Sequence, residues 1–302
     1  ENGYFLEAMR QLKEEEKDNA LFVQLTFVPS LSPGEQKTKP TQHASKVLQS
    51  IGIHPDMIVC REDELLSKDA REKISLYCGV EKDAIFDDPK LLTVYALPLA
   101  LEKQNIYEMI SKRLNLKNKD GNLREWKSLV DKIKNPKKGM IKIAVVGKYT
   151  AVKDAYVSVR EALVHACSHN NVGFILDWIE STDLENGNLK EEDIKRYDGI
   201  IVPGGFGKRG IEGKINSIRI ARENKIPYLG LCLGMQLMVV EYARNVCGLK
   251  DANSKEFNSN TPHPVIALLP EQQRIAKLGG TMRLGAYSAK LSDESNIKKW
   301  YL

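Results

Sequence analysis

The feature that most constrains the fold is a series of short, nearly continuous apolar runs in the second half of the chain. They are "MIKIAVVGKY", "GFILDWI", "YDGIIVPGGFG" and "IPYLGLCLG". Each is too short to be a helix buried all round, and none alternates with polar residues as a half-exposed strand would. Such runs read as strands covered on both faces, the signature of a parallel sheet. The stretches between them, "KDAYVSVREALVHACSHN" and "EGKINSIRIARENK", carry helical spacing. Strand and helix in turn, repeated this often, predict a doubly wound α/β domain.

The first half shows the same alternation. "ALFVQLTFVP" reads as a strand ending at Pro29, "DMIVCR" (56–61) as a short buried strand, and "DAIFD" as a third. "TQHASKVLQSIGI" places Ala44, Val47, Leu48 and Ile51 on one helical face, expected to be the buried one, and "DAREKISLYCGV" reads as a further helix. Residues 112–139 change character: rich in Lys and Asn, they hold one amphipathic helix around Trp126 and end in Asn-Pro-Lys-Lys-Gly. The expectation is two doubly wound parallel-sheet domains, 1–111 and 140–302, joined by a linker at 112–139.

Bulk composition narrows the function. The 302 residues are 42% hydrophobic and 28% charged, with a net charge of +5, as in ordinary globular proteins. No apolar run is long enough for a membrane span, and "ENGYFLEAMRQ" is no signal peptide, so no membrane partner and a cytoplasmic location are expected. The basic residues are dispersed rather than striped with aromatics, which argues against nucleic acid. Five cysteines (60, 78, 167, 232, 247) contain no CxxC pair, and there are five histidines, so neither disulfides nor a protein-built metal site is expected. Cys60, Cys78, Cys167 and Cys247 read as core filler. His165 and His169, four apart on a helix, lack a third ligand, and His263, between two prolines, reads as an ordinary loop residue.

Cys232 is different. In "GLCLG" it stands between a buried strand and a helix, with Gly230 and Gly234 two places to either side. Alone, this is either a small cysteine packed between two glycines or a nucleophile held on a strained turn. A nucleophile elbow needs the glycines because side chains there would collide with neighbouring backbone. The helix that follows turns its N-terminal N–H groups and positive dipole end toward the sulfur, favouring negative charge there. The Leu233 N–H would point at the oxygen of an attacked carbonyl. "IIVPGGFG" (200–207) ends a second strand in a Gly-rich turn at the same sheet edge, where the Gly205 N–H could donate to the same oxygen.

In order, "PGGFG", "GLCLGMQ", "DANSKEF" and "LGGTMRLG" resemble a class I glutamine amidotransferase domain, and in detail that of the CTP synthase family; "GEQKTKPTQHASK" (34–46) is similar to that family's ligase domain. The resemblance covers nearly the whole chain and implies two parts: the C-terminal half of an amidoligase (P-loop-like synthetase) domain and a class I glutaminase domain. It implies that Cys232 attacks the glutamine side-chain amide, with Gly205 and Leu233 as oxyanion donors. Gln236 and Glu256 would hold the amino-acid end of glutamine, and Arg283 its carboxylate; a carboxylate suits an ammonium and a forked guanidinium suits a carboxylate. "FGKRGIEGK" (206–214) is similar to the mobile segment through which GTP activates the glutaminase.

In the ligase part the resemblance assigns UTP and CTP to Glu1, Lys37, Thr38, Lys39, Pro40, Thr41, Gln42 and Lys73, and ATP to Arg61 and Leu91. Two lysines beside a turn-forming proline suit polyphosphate, though a bare Lys-x-Lys-Pro is an ordinary surface loop; Gln42 offers a base edge both donor and acceptor. The implied cofactor is Mg2+ with ATP, the implied assembly a homotetramer that can extend into filaments, and CTP the inhibitor.

Two family elements are missing from the 302 residues. Nothing of the form GxxxxGK[ST] occurs, and no histidine stands in an "RHRHRYE"-like context that would supply the thiol's base and its glutamate. The expectation is that Glu1 continues from the family's "GGTVGDIE" stretch, that the sequence ends before the histidine motif, and that the bare polypeptide does not make CTP. The alternative expectation is a catalytically silent, CTP-sensing filament subunit; an intact "GLCLG" argues against it.

Overall fold

The computed structural model describes residues 2–32, 34–117, 122–148, 153–267, 286 and 288–301. The chain divides into two compact units, 1–137 with 168–171 and 138–167 with 172–302.

The first unit begins with helix α1 (Gly3–Glu16), then β1 (Val23–Phe27), α2 (Lys39–Ser50), β2 (Met57–Glu62), α3 (Lys68–Cys78) and β3 (Ile85–Pro89). It continues through α4 (Leu97–Glu102), α5 (Ile106–Arg113) and α6 (Arg124–Lys134). Its sheet is parallel in the order β1-β2-β3. Met57, Ile58 and Cys60 of β2 are fully buried, and Ile74 of α3 and Phe86 of β3 close the core with them. Each such aliphatic or aromatic side chain contributes about 1.5–3 kcal/mol by leaving water. Helix α6 folds with this unit: Trp126 donates its indole N–H to the Tyr95 carbonyl at 2.7 Å, and Val130 is buried.

Strand β1 forms where the sequence predicts one and buries its polar side. Its apolar residues Val23, Leu25 and Phe27 face outward, Leu25 at 70% exposure, and Gln24 and Thr26 face inward. The matching face of α2 is therefore polar too. Thr41 and Ser45 are its buried residues, bonded to Thr26 at 3.1 Å and to Gln24 at 2.7 Å, whereas Ala44 and Val47 are exposed. The predicted Ala44–Val47 face is thus not the buried one: the Thr26–Thr41 and Ser45–Gln24 hydrogen bonds take the interior, which offsets most of the cost of burying these polar groups, although the Gln24 Nε2 has no partner among the described residues.

The second unit runs β4 (Met140–Gly147), α7 (Val157–Asn170), β5 (Gly173–Glu180), α8 (Ser181–Glu185), α9 (Glu191–Lys195), β6 (Gly199–Val202), α10 (Ile211–Glu223), β7 (Tyr228–Gly230) and α11 (Leu233–Asn245). A two-stranded parallel pair, β8 (Ala252–Ser254) with β9 (His263–Ile266), and a short helix α12 (Asn296–Tyr301) follow. The main sheet is parallel in the order β5-β4-β6-β7. Ala144, Val146, Ile200 and Val202 pack with Ile215, Ile218 and Leu237 into its principal core.

The chain goes from β4 outward to β5 and returns to lay β6 on the other side of β4. The order reverses between β4 and β6, and the crevice at their carboxyl ends is where open α/β sheets bind ligands.

Cys60, Cys78 and Cys167 are buried thiols; burial pushes Cys60 up to about 12 and the other two upward as well. Cys247 is exposed, so it is not the core filler expected of it. The reason is its place two residues past the end of α11, where the helix surface gives way to a turn.

Candidate functional site

Only Leu231 and Cys232 separate β7 from α11. Cys232 is the N-cap of that helix, with φ of +51° and ψ of −101°. A non-glycine residue held there costs about 1–3 kcal/mol, and the surrounding structure has to enforce it. The two flanking glycines make the passage possible. A Cβ on Gly230 would lie 2.6 Å from the Gly234 carbonyl carbon, and one on Gly234 would lie 2.0 Å from the Val202 carbonyl oxygen. The Leu231 N–H donates to that same Val202 oxygen at 2.9 Å, and Tyr228 Oη donates to the Gly234 carbonyl at 2.8 Å. The strained thiol stays exposed at the sheet's carboxyl edge.

The Gly-rich turn after β6 meets it there. A Cβ built on Gly204 would touch Cys232 Cβ at 3.5 Å, and one on Gly205 would stand 3.8 Å from Leu233 Cδ2. Neither distance forbids a side chain, so internal packing does not demand glycine at 204 or 205. The backbone N–H groups of Gly205 and Leu233 have no acceptor among the described residues. Gln236 stands one turn along α11, its own N–H on the Cys232 carbonyl at 3.1 Å. Glu256, after β8, accepts from the Gly207 N–H at 3.3 Å. The structure therefore gathers Gly205, Cys232, Leu233, Gln236 and Glu256 around one sheet edge. Arg283 lies outside the described residues.

Two lysines that sequence reasoning passed over belong to the same edge. Lys148 follows β4, is 4% exposed, and donates from Nζ to the Phe206 carbonyl at 2.9 Å and to the Gly207 carbonyl. Burial first, then the neighbouring Arg209, hold it below the usual lysine range. Lys214 shares a face of α10 with Ile211, Ile215 and Ile218, is 0% exposed, and its Nζ has no hydrogen-bond partner among the described residues. A Cβ on Gly205 would stand 3.9 Å from that Nζ. Burial and then Lys148 bring Lys214 down to about 8, with Glu180 opposing. Its signal was present in the sequence: positions 211, 214, 215 and 218 form one helical stripe, and a lysine on it is out of place.

The first unit treats its candidate residues differently. Thr38 is the buried N-cap of α2, Lys39 and Pro40 start the helix, and Gln42 donates to Thr38 Oγ1 at 3.0 Å. Thr41 is fully buried and bonded to Thr26, so its hydroxyl is occupied inside the unit. Lys37 is ion-paired with Glu35 at 2.5 Å and Lys73 with Asp69 at 2.6 Å, both at the surface. Arg61 reaches Asp88 at 3.0 Å and the Pro89 carbonyl at 3.1 Å. With Leu91, Val94 and Leu97, Arg61 and Asp88 line a recess of about 200 Å3, and Leu91 also borders a larger hollow of about 1010 Å3 between Leu65, Leu99, Gln104, Arg124 and Lys127. The structure thus joins Arg61 to Leu91 in one recess; Glu1 lies outside the described residues. Among the described residues, no group of three or more His, Cys, Asp or Glu side chains is arranged to hold a metal ion. These residues do not fit a magnesium site of their own. His165 and His169 lie on the exposed side of α7, and His263, expected in a loop, opens β9 and is exposed.

Residues 151–300 match the family model of class-I glutamine amidotransferases, and residues 1–116 that of the CTP synthase N-terminus. The strained cysteine between parallel strand and helix thus sits in a class I glutamine amidotransferase domain. The chain is 51% identical over 299 residues to a CTP synthase of Caldanaerobacter subterraneus subsp. tengcongensis, covering 98% of this chain and 55% of that protein. It is 48% identical over 305 residues to a CTP synthase of Methanocaldococcus jannaschii, covering 98% and 56%. A solved structure, the Trypanosoma brucei CTPS glutaminase domain with bound acivicin, matches at 40% identity over 44% of this chain and 52% of that one, with a TM-score of 0.42. The chain belongs to the CTP synthase family. It spans about half the length of the curated relatives it matches. Among the described residues, no helix is long and apolar enough to cross a membrane.

Proposed function

We propose that the protein to which this chain belongs makes CTP from UTP, with ATP as the activating phosphoryl donor and glutamine as the nitrogen source. The observation that carries the glutaminase half is Cys232, exposed at φ +51° between two glycines that no other residue could replace, with two N–H groups beside it that have no acceptor among the described residues. In this reading glutamine lies across the edge of the sheet. Glu256 takes its ammonium, Gln236 its amino-acid end, and Arg283 its carboxylate. The Cys232 sulfur adds to the side-chain amide carbon, and the oxygen takes up the negative charge between the N–H groups of Gly205 and Leu233. Loss of one such donor typically costs about 100- to 1000-fold in rate. Ammonia then leaves with a proton, and water cleaves the remaining thioester to glutamate. The base for these transfers would be the family's histidine, whose motif these 302 residues do not contain.

In the first unit we assign the uracil nucleotide to Lys37, Thr38, Lys39, Pro40, Gln42 and Lys73, and ATP to the recess of Arg61 and Leu91. Thr41 supports this segment from inside through its bond to Thr26. Magnesium, when bound with ATP, supplies charge neutralisation at the phosphates; its ligands are sought outside the described residues. GTP activation through 206–214, inhibition by CTP, a homotetramer that can extend into filaments, and a cytoplasmic location belong to the same proposal.

In the full-length protein, Cys232→Ala should abolish glutamine-dependent CTP formation and leave formation from added ammonia within about threefold of the parent. Equal loss of both activities, or survival of the glutamine-dependent one, contradicts the assignment.

A further inference from the structure

The turn that brings Gly205 to Cys232 contains little that could fix its own shape. Gly204, Gly205 and Gly207 have no side chains, and Gly207 has a φ of +79°. Chain of this kind samples many orientations, and each ordered residue costs about 1–2 kcal/mol of backbone entropy. An oxyanion donor that points elsewhere part of the time is worth correspondingly less, because preorganisation gives such donors their effect.

The turn is nevertheless gripped, Lys148 Nζ holding the Gly207 carbonyl as well as the peptide before it. Lys148 Nζ donates to the Phe206 carbonyl at 2.9 Å, and Glu256 Oε1 accepts from the Gly207 N–H at 3.3 Å. These are the two ends of a single peptide plane, 206–207. Lys148 is itself fixed. Its side chain is buried, its N–H donates to Tyr156 Oη at 3.3 Å, its carbonyl accepts from Arg209, and Tyr156 stacks on Trp178 with centroids 5.5 Å apart. The side chain crosses from the end of β4 to the turn after β6, at the switch point of the sheet.

We infer that Lys148 is a positioning residue for amide hydrolysis: with Glu256 it clamps the 206–207 peptide and so fixes the Gly205 N–H toward the oxygen formed at Cys232. The inference rests on the glutaminase reading above and adds to it a residue that touches neither substrate nor sulfur. In that reading the carboxylate of Glu256, which takes glutamine's ammonium, also holds the Gly207 N–H.

The test uses the full-length protein, Lys148→Met and Lys148→Gln as removals and Lys148→Arg as the conservative change. Three quantities are read: thermal midpoint, glutaminase kcat and KM, and inhibition by the aldehyde analogue of glutamine. The Cys232 thiol adds across that aldehyde: the S–C bond forms, the C=O π bond breaks, and the thiol proton passes to the oxygen, so no co-reactant is needed. The adduct places its oxygen where the reaction places it, and glutamine in its ground state does not.

Removal should lower kcat by about 100-fold, leave KM within about threefold, and weaken the aldehyde by the same factor as kcat/KM. Lys148→Arg should recover most of the loss, and the thermal midpoint should stay within a few degrees. Full kcat and full aldehyde affinity in both removals overturns the inference, as does a loss confined to KM or one that tracks a collapsed thermal midpoint. Failure of the parent protein to hydrolyse glutamine would overturn the glutaminase reading instead, so the two failures are separable.

Discussion

The passage from β7 to α11 and the passage from β1 to α2 both lead from a parallel strand into a helix, and both carry the candidate ligand residues of their unit. They are built by opposite means. The first consists of two residues, one of them strained, and its geometry is forced by backbone contacts that would put a Cβ on Gly234 2.0 Å from a carbonyl oxygen. The second runs from Val28 to Thr38, with Gly34 at φ +80° and side chains that pair with each other: Lys37 with Glu35, Gln42 with Thr38. A site of the first kind has the position of its nucleophile fixed by its own backbone. One of the second kind offers flexible charges at a surface and takes its shape from what it meets, a phosphate or a neighbouring molecule. That is why the glutaminase chemistry can be read from single distances, and the nucleotide assignments rest on the Arg61 recess and on family likeness.

The largest effect that could break this contrast is steric. Gly234→Ala should cost about 3 kcal/mol or more, because a close-packed backbone has to move, whereas Gly205→Ala meets only ordinary contacts at 3.8 and 3.9 Å and should stay within about 1 kcal/mol of the parent. Denaturant unfolding of the two variants checks it; equal stabilities would mean that the elbow is not locked as described.

A second difference between the units is the sign of their pH response. Glu62 in the first unit is 1% exposed, and burial, then Asp87, push it up to about 9. The native state therefore holds a proton that the unfolded chain loses near 4.5, and this group's contribution falls as pH rises from about 4.5 to 9. Lys214 in the second unit goes the other way. Its native value of about 8 lies below the ordinary 10.5, so the unfolded chain binds more protons between those limits, and stability rises with pH there. Glu62→Gln should flatten the fall and Lys214→Met the rise, each measured by unfolding at a series of pH values. Unchanged slopes in both would remove the buried-charge account. The smallest expected effect is at the surface: Lys73→Ala, which breaks the exposed pair with Asp69, should change stability by at most about 0.5 kcal/mol while weakening UTP-dependent turnover.

Much of the second unit was legible because its signals are local. Four apolar runs give four parallel strands, and glycines two places from Cys232 give an elbow, since both depend on residues near in sequence. The burial side of β1 is not legible in the sequence, because Val23, Leu25 and Phe27 look like core and are exposed. The interior choice was made by Gln24 and Thr26 meeting Thr41 and Ser45, a pairing across the fold that no periodicity announces. Lys148 was passed over for a related reason. A lysine after a strand reads as solvent-facing until a turn 58 residues further along supplies two carbonyls for it. Lys214 could have been caught, since it interrupts an isoleucine stripe.

The central claim is that Cys232 is a nucleophile shaped to receive glutamine. Treating the full-length protein with a chloroketone analogue of glutamine, followed by peptide mass spectrometry, tests it most directly. The account predicts one label per chain, on Cys232, prevented by excess glutamine, with exposed Cys247 unmodified. Labelling spread equally over Cys232 and Cys247, or no protection by glutamine, would contradict it.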